Sequence, residues 1–469
     1  MTDHAGNGPG SRSGVREAFR QRRSAIIDAW RSRLWPVPAV GVVIAVAAGV
    51  AVPELDDALD QHMPELLATY LFGGGPAAAR ELLGAIATSL ITVTSLTFSL
   101  TLITLQLASS QYTPRLLRTF AADRFVQRTL GLFLATFAYA ITVLRTVRND
   151  DAAGAEFVPQ IAVTVAYLLA MASVLTLVLF LGHLVRQIRI ETMLKQVSVD
   201  IQSVAGRVLD PLDEDQTRDE DFGPFPPDGA SIITARSSGF LVEVNERALL
   251  ACAVKADAVI WIDRAVGSGI LADVPVAFCW PAQSPGTTLD EERLSAVRDT
   301  VAGALTTGME RTGTQDIGYG LRQLTDVVIR ALSPGINDPT TAVHGLNSCS
   351  AILCEFTRYR LGRRILCDDD DVVRVLLARP DLAELLDLVF SQPQHYGASD
   401  PAVLQRLLTM LRELAWVVTL AADRQAIADR LRRTEIVAAE QNFDTTERRR
   451  LDQLAHQVRE ALEQRWAPS

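Results

Sequence analysis

Residues 88–112, TSLITVTSLTFSLTLITLQLASSQY, decide the fold of this chain. Nearly half of them are Ser or Thr, none is charged, and Leu, Ile, Val and Phe keep the stretch apolar. About 20 such residues are enough to cross a bilayer as a helix. The sequence therefore predicts a transmembrane helix that is rich in hydroxyl groups.

The polar side chains of this helix form two stripes when residues are placed at roughly 100° intervals. The first stripe contains Thr88, Thr92, Ser95, Ser99, Gln106 and Ser110. The second, on nearly the opposite side, contains Thr94, Thr97, Thr101 and Thr104. We expect protein or water around both stripes, because lipid offers a hydroxyl group no hydrogen-bond partner. Two interpretations stay open: both stripes pack against helices, or the first stripe lines a pore while the second packs.

Composition indicates a protein that is partly embedded in a membrane and partly soluble. The chain has 469 residues, enough for two or three domains, and 48% of them are hydrophobic. The net charge of −10, with no long basic patch, argues against nucleic-acid binding. The five cysteines include no CxxC pair, so we expect reduced thiols and neither a disulfide framework nor a zinc site.

Four apolar segments predict four membrane spans, at residues 34–52, 82–107, 130–147 and 158–184. The charges that flank them alternate along the chain as basic, acidic, basic, mixed and basic. Because basic loops favour the cytoplasm, both termini are expected there. Residues 1–33 are predicted to be a basic, amphipathic cytoplasmic segment, and residues 34–185 the four-helix transmembrane domain.

The remaining residues predict a cytoplasmic α+β region, so the expected fold class is a mainly α membrane protein. Residues 186–210 repeat apolar side chains at helical spacing, which predicts an amphipathic stalk helix. An acidic, Pro-rich linker (211–230) and a small β-rich module (231–285) follow. Residues 286–469 are predicted to be a helical bundle, with helices at 291–306, 316–332, 339–360, 371–390, 401–422 and 445–465.

A polar corner is predicted near the string SPGINDP, residues 333–339. Asp338 followed by Pro339 is typical of a helix N-cap with proline at the first helical position. The polar side chains expected to converge there are Asp316, Asn337, Asp338, His344 and Asn347. They would form either a hydrogen-bonded corner between two helices or a site for a ligand or ion.

Signatures of catalysis are missing from the sequence. No phosphate-binding P-loop, GxSxG, HExxH, dinucleotide-binding or kinase motif is present. The run DDDD at residues 368–371 lacks the spacing of a calcium loop and predicts a solvated helix N-terminus. We therefore expect no enzyme activity, no cofactor and no metal.

Two strings carry a family resemblance: TFSLTLITLQLASSQYTPRLLRTFAADRFVQRTLGLFLATFAYA (97–140) and DIGYGLRQLTDVVIRALSPGINDPTTA (316–342). In both, the chain resembles the bacterial membrane proteins grouped as domain-of-unknown-function family 2254, and the similarity runs from about residue 30. The resemblance implies a multi-span protein of the bacterial inner membrane with a large cytoplasmic region. It implies no activity.

Three functional hypotheses follow. The first is a channel or transport pore for a small ion or solute, lined by the first stripe and gated or assembled by the cytoplasmic region. Four helices are too few to surround a path, so this hypothesis requires a homo-oligomer in the lipid bilayer. The second is a membrane-anchored sensor or scaffold without transport. The third is a membrane enzyme without a recognised motif.

Overall fold

The computed structural model describes residues 35–59, 71–111, 123–148, 158–187, 190–212, 225–284 and 286–466. The predicted segment 1–33 and most of the predicted linker lie outside these residues. The chain divides into two compact units, Met1–Arg189 and Ile190–Ser469. They are called unit 1 and unit 2 below.

Unit 1 contains the helices α1 (Pro36–Leu59), α2 (Pro76–Gln111), α3 (Arg124–Leu144) and α4 (Gln160–Gln187). Each is long and apolar enough to cross a membrane, which confirms the prediction of four candidate spans. The third helix begins six residues before the predicted start, because Asp123 caps it by accepting a hydrogen bond from Phe125 N (2.7 Å).

Helix α3 forms the centre of unit 1 and packs against the other three helices. Phe133 and Tyr139 of α3 are buried among apolar residues of the neighbouring helices. Small residues allow α1 to approach closely: a Cβ added at Gly41 would lie 3.3 Å from Gly131 O. Asp56 of α1 is buried and accepts a hydrogen bond from Ile161 N (2.8 Å), so a carboxylate from α1 caps α4.

Unit 2 begins with helix α5 (Ile190–Val208), whose apolar stripe has the predicted spacing. It buries Met193, Leu194, Val197, Ile201, Val204 and Ala205. They face α8 (Ile317–Ala331) and α9 (Pro339–Phe356), and a Cβ at Gly320 would lie 2.7 Å from Ile201 Cδ1. The apolar stripe of the predicted amphipathic helix therefore packs against the helical bundle within unit 2.

The described residues of unit 2 form two β-sheets. The strands are β1 (Ser231–Thr234), β2 (Gly239–Val244), β3 (Ala258–Ile262), β4 (Gly269–Ile270), β5 (Pro275–Pro281), β6 (Leu305–Gly308), β7 (Arg364–Cys367) and β8 (Val373–Leu377). One sheet has the order β1-β5-β3-β8-β7 and the other the order β4-β2-β6. Strands β3 and β8 are parallel, with Ile262 opposite Leu377.

The predicted boundary between a β-rich module and an all-helical bundle at residue 285 is wrong. Three strands, β6, β7 and β8, come from the range predicted to be helical. The run VRVLL of β8 is short and mostly buried, and such runs are ambiguous between strand and helix. The DDDD run is a turn between β7 and β8, where Asp368 Oδ1 accepts from Val372 N (2.9 Å) and Asp371 has φ +59°.

Helices α6 (Glu246–Ala256) and α7 (Glu291–Ala304) share a core with the larger sheet, including Leu249, Val297, Ile260 and Val375. The bundle is completed by α10 (Leu382–Gly397), α11 (Pro401–Val417), α12 (Ala421–Ala439) and α13 (Thr445–Leu462). The sequence did not predict α12 as a separate helix. It buries only Ile427, Arg430, Leu431 and Thr434, too thin a stripe to show as an apolar period.

Candidate functional site

The first polar stripe lies on the outer face of α2 in unit 1. Its members Thr88, Thr92, Ser95, Ser99 and Gln106 are all exposed, whereas the side chain of Ser110 lies outside the described residues. Exposed apolar side chains flank the stripe on both sides, including Phe98, Leu102 and Ile103. From Thr88 to Gln106 the stripe is about 27 Å long at 1.5 Å per residue, close to the thickness of a hydrocarbon core.

The second stripe lies on the inner face of the same helix. Thr94, Thr97 and Thr104 are buried and Thr101 is half-buried, on the side that contacts α3 and α4. Thr94 Oγ1 donates to Leu90 O (2.6 Å), one turn back along the helix, and Thr101 and Thr104 make the same type of bond. Thr97 Oγ1 is buried with no hydrogen-bond partner among the described residues. The two stripes therefore have opposite environments.

Hydrogen bonding within the chain satisfies only part of the first stripe. Thr92 Oγ1 donates to Thr88 O (2.9 Å), as hydroxyl groups in transmembrane helices commonly do. The described residues supply no such acceptor for Ser95 or Ser99. At membrane depth, these hydroxyl groups and the Gln106 amide can find partners in water or in another protein surface.

The five residues predicted to form one polar corner in unit 2 do not converge. Asp316 immediately precedes α8, and Asn337 and Asp338 follow its other end. A 15-residue helix separates these positions by roughly 22 Å. His344 and Asn347 are exposed on α9. The prediction of a single site is wrong, because the two ends of one helix had been placed together.

Asp316 instead forms a buried ion pair. Its Oδ2 accepts from Arg311 Nε (2.9 Å) and Nη2 (2.7 Å), and its side chain is 3% exposed. Burial raises the pKa of the Asp316 carboxyl, and the Arg311 guanidinium opposes that rise. Gly267, at φ +92°, passes so close that a Cβ there would lie 2.6 Å from Asp316 Cγ. The pair therefore fixes the loop before β4 against the start of α8.

Local turn chemistry accounts for the SPGINDP string. Asn337 has φ +49° and its N–H donates to Ser333 O (2.9 Å); Asn tolerates this left-handed conformation better than most residues. Asp338 caps α9 as predicted, accepting from Thr341 N (3.0 Å) and Thr341 Oγ1 (2.6 Å). These hydrogen bonds hold the pKa of Asp338 below its usual value.

Asn347 lines a groove of about 490 Å³ on unit 2, which the sequence did not predict. Its walls include Trp416 and Trp466, whose rings meet edge to face at 5.5 Å. Arg406 and Glu413 also line the groove, and Arg406 donates two hydrogen bonds to the Glu413 carboxylate (3.0 and 2.8 Å). The groove is therefore lined by two aromatic side chains and by an arginine–glutamate ion pair.

Sequence reasoning also missed a charged cluster at the ends of the parallel strands. Arg264 follows the last residue of β3 by two positions, and Arg379 follows the last residue of β8 by two. The signal was present in the strings AVIWIDR and VRVLLAR. It was lost because the second string was predicted to be helical. No group of three potential metal ligands occurs among the residues that the structure describes.

Comparison with known proteins gives the family. Residues 31–413 match the family described as predicted membrane protein, DUF2254. The chain belongs to this family. An uncharacterized protein of Mycobacterium tuberculosis is 33% identical over 400 residues, which cover 84% of this chain and 74% of the relative. An uncharacterized protein of Mycobacterium bovis matches to the same extent. No solved structure matches the chain.

Proposed function

We propose that this bacterial membrane protein assembles into a homo-oligomer whose channel or transport pore is lined by the first polar stripe of α2. In this proposal, four transmembrane helices cross the inner membrane, both termini are cytoplasmic, and unit 2 gates or assembles the pore. The proposal assigns the chain no catalytic role. The observation that carries it is the opposite burial of the two stripes, inner hydroxyl groups packed and outer ones exposed.

An assembly of several copies is required because one copy leaves the stripe on its outer face. Symmetric packing of identical subunits would bring α2 from each copy to a shared axis. Such a lining would consist of hydroxyl and amide groups without charge, which suits a small ion or a small polar solute. The proposed partners are thus the lipid bilayer, further copies of the chain and that solute, with no nucleic acid.

Flux through reconstituted protein tests the proposal. Purified full-length protein in liposomes should release entrapped ions, and Ser95→Leu or Ser99→Leu should reduce that flux strongly by removing polar groups from the path. Ser89→Leu is the matched control, since Ser89 is an exposed serine on the same helix about 100° around from Thr88. Equal flux from all three variants and the parent protein would exclude a path along this stripe.

Cross-linking tests the required assembly separately. All five native cysteines lie at or beyond residue 252, so unit 1 offers a cysteine-free background. Cys367, which is exposed, would be replaced by Ser to lower the background. Ser99→Cys should then give covalent dimers in membranes under oxidation, and Leu175→Cys, on the exposed face of α4, should give far fewer. Equal yields, or none from Ser99→Cys, would count against a shared axis.

A membrane-anchored sensor is the second candidate function, favoured by the groove on unit 2. The groove is large enough for a small organic molecule, and its two tryptophans would report binding by fluorescence. Protein that shows no flux, but whose tryptophan emission changes with a ligand and loses that response in Trp466→Leu, would favour the sensor over the pore.

A further inference from the structure

A small cavity in unit 2 collects two arginines at the carboxyl ends of parallel strands. The cavity measures about 30 Å³, and Arg264 and Arg379 line it together with Glu246 and Gln315. Because Ile262 and Leu377 are paired in the sheet, the two arginines hold equivalent positions beyond it. The carboxyl ends of parallel strands are where α/β sheets commonly bind ligands.

Two arginines and one glutamate line this cavity, and Arg264 also contacts Asp263 at 3.8 Å, with the two side chains 45% and 42% exposed. Arg379 is 12% exposed, and its Nη2 donates to Glu246 Oε1 (3.0 Å). Arg364 contacts the same carboxylate at 3.2 Å, so two guanidinium groups share it. Arg364 also contacts Asp210 (3.3 Å), but that carboxylate is half exposed and therefore screened by water. Burial and the nearby Arg364 lower the pKa of Arg379, and the carboxylates of Glu246 and Asp210 oppose that shift.

Helix ends add to the positive potential. Glu246 is the first residue of α6 and Ile317 the first residue of α8, and both line the cavity. The N-terminus of a helix carries a partial positive charge and favours anions. Gln315 is held in place because its Oε1 accepts from Val244 N (2.9 Å). Arginine forks, helix ends and a fixed amide are the groups that bind tetrahedral oxyanions in proteins.

We infer that this cavity binds phosphate, as the free ion or as the phosphoryl end of a larger ligand, with Arg264 and Arg379 as its cationic partners. A water needs about 10–15 Å³ on this scale, so the cavity holds one compact anion, and the sugar or base of a larger ligand would have to lie outside it. A dianion there would add negative charge beside the buried Arg379, which shares Glu246 with Arg364, and beside the partly exposed Arg264. This inference is independent of the pore and concerns unit 2 alone.

Equilibrium dialysis with radiolabelled inorganic phosphate tests the site directly. Full-length protein in detergent, at constant ionic strength set with sodium chloride, should bind one phosphate per chain. Arg264→Gln should weaken this binding at least about tenfold through loss of a charge-assisted hydrogen bond. Arg264 is suitable because its side chain is 45% exposed, so the substitution leaves the core intact.

The matched control is Arg298→Gln. Arg298 is 46% exposed and, like Arg264, pairs with one acidic neighbour, but it does not line the cavity. The Arg298→Gln variant should bind phosphate with the same affinity as the parent protein. Adenosine monophosphate as competitor distinguishes the sources: competition indicates the phosphoryl end of a larger ligand, and its absence indicates the free ion. No saturable binding, or equal binding by Arg264→Gln and the parent protein, would overturn the inference.

Discussion

Replacing Gly267 with alanine should be among the most destabilising single changes in unit 2. Gly267 has φ +92°, a conformation that side chains rarely adopt. An added Cβ would lie 2.6 Å from Asp316 Cγ and 2.8 Å from Arg311 Nη2. Both groups belong to a buried ion pair, so the methyl group must displace the carboxylate, the guanidinium or the loop itself.

The expected loss of unfolding free energy in Gly267→Ala is the sum of two contributions. The left-handed conformation costs alanine about 1–2 kcal/mol, and breaking a buried ion pair costs about 3–5 kcal/mol. Their sum, about 4–7 kcal/mol, exceeds the 0.5–3 kcal/mol of most substitutions. With an m-value of about 2 kcal/mol/M in urea, the unfolding midpoint should fall by roughly 2–3.5 M.

Urea unfolding of the full-length protein in detergent, followed by tryptophan fluorescence, measures this shift. Four of the six tryptophans lie in unit 2: Trp261, Trp280, Trp416 and Trp466. Two glycines serve as controls, because a Cβ meets nothing within 4 Å at either. Gly229→Ala, at φ +97°, measures the cost of the left-handed conformation alone. Gly269 is not at positive φ, so Gly269→Ala should leave the unfolding midpoint close to that of the parent protein.

A specific result would refute this reasoning. If Gly267→Ala unfolds at the same urea concentration as Gly229→Ala, the contact with Asp316 contributes nothing and the ion pair does not hold the loop. The double variant Gly267→Ala, Asp316→Ala gives a further check. Its loss of stability should be well below the sum of the two single losses, since both remove the same pair.

Two further predictions concern helix caps. Asp338→Ala should lower the unfolding free energy by about 1 kcal/mol through loss of the α9 cap. Because the folded state lowers the pKa of Asp338, this contribution is present above the unfolded pKa of about 3.9 and is lost as pH falls through the folded pKa. Urea unfolding in strong acid should therefore show no difference between this variant and the parent protein. Asp56→Ala should lower the thermal midpoint of unit 1 in detergent, because Ile161 N and Ala162 N lose their acceptor; an unchanged midpoint would show that water replaces the carboxylate.

The sequence predicted features whose physical cause is local. Span length and hydropathy are properties of one segment, so four candidate spans were found. The α5 stripe and the Asp338 cap depend on neighbours within a few residues, and both were placed correctly. The helical wheel separated the two stripes of α2 but carried no information on which one faces outward, since that depends on where α3 and α4 pack.

The errors concern features set by distant parts of the chain. Strand β8 is stabilised by pairing with β3, and nothing near VRVLL in the sequence shows that partner. Without β8, the link between Arg264 and Arg379 was invisible. The polar corner failed for a related reason: Asp316 and Asn337 are close in sequence, but a continuous helix keeps them apart.

The parallel pairing of β3 with β8 sets an order of events during synthesis. The larger sheet stays incomplete until the ribosome has released residue 377, while β3 is translated more than a hundred residues earlier. A nascent or prematurely terminated chain would therefore present one side of β3 as an unprotected edge, the kind of surface on which chains aggregate.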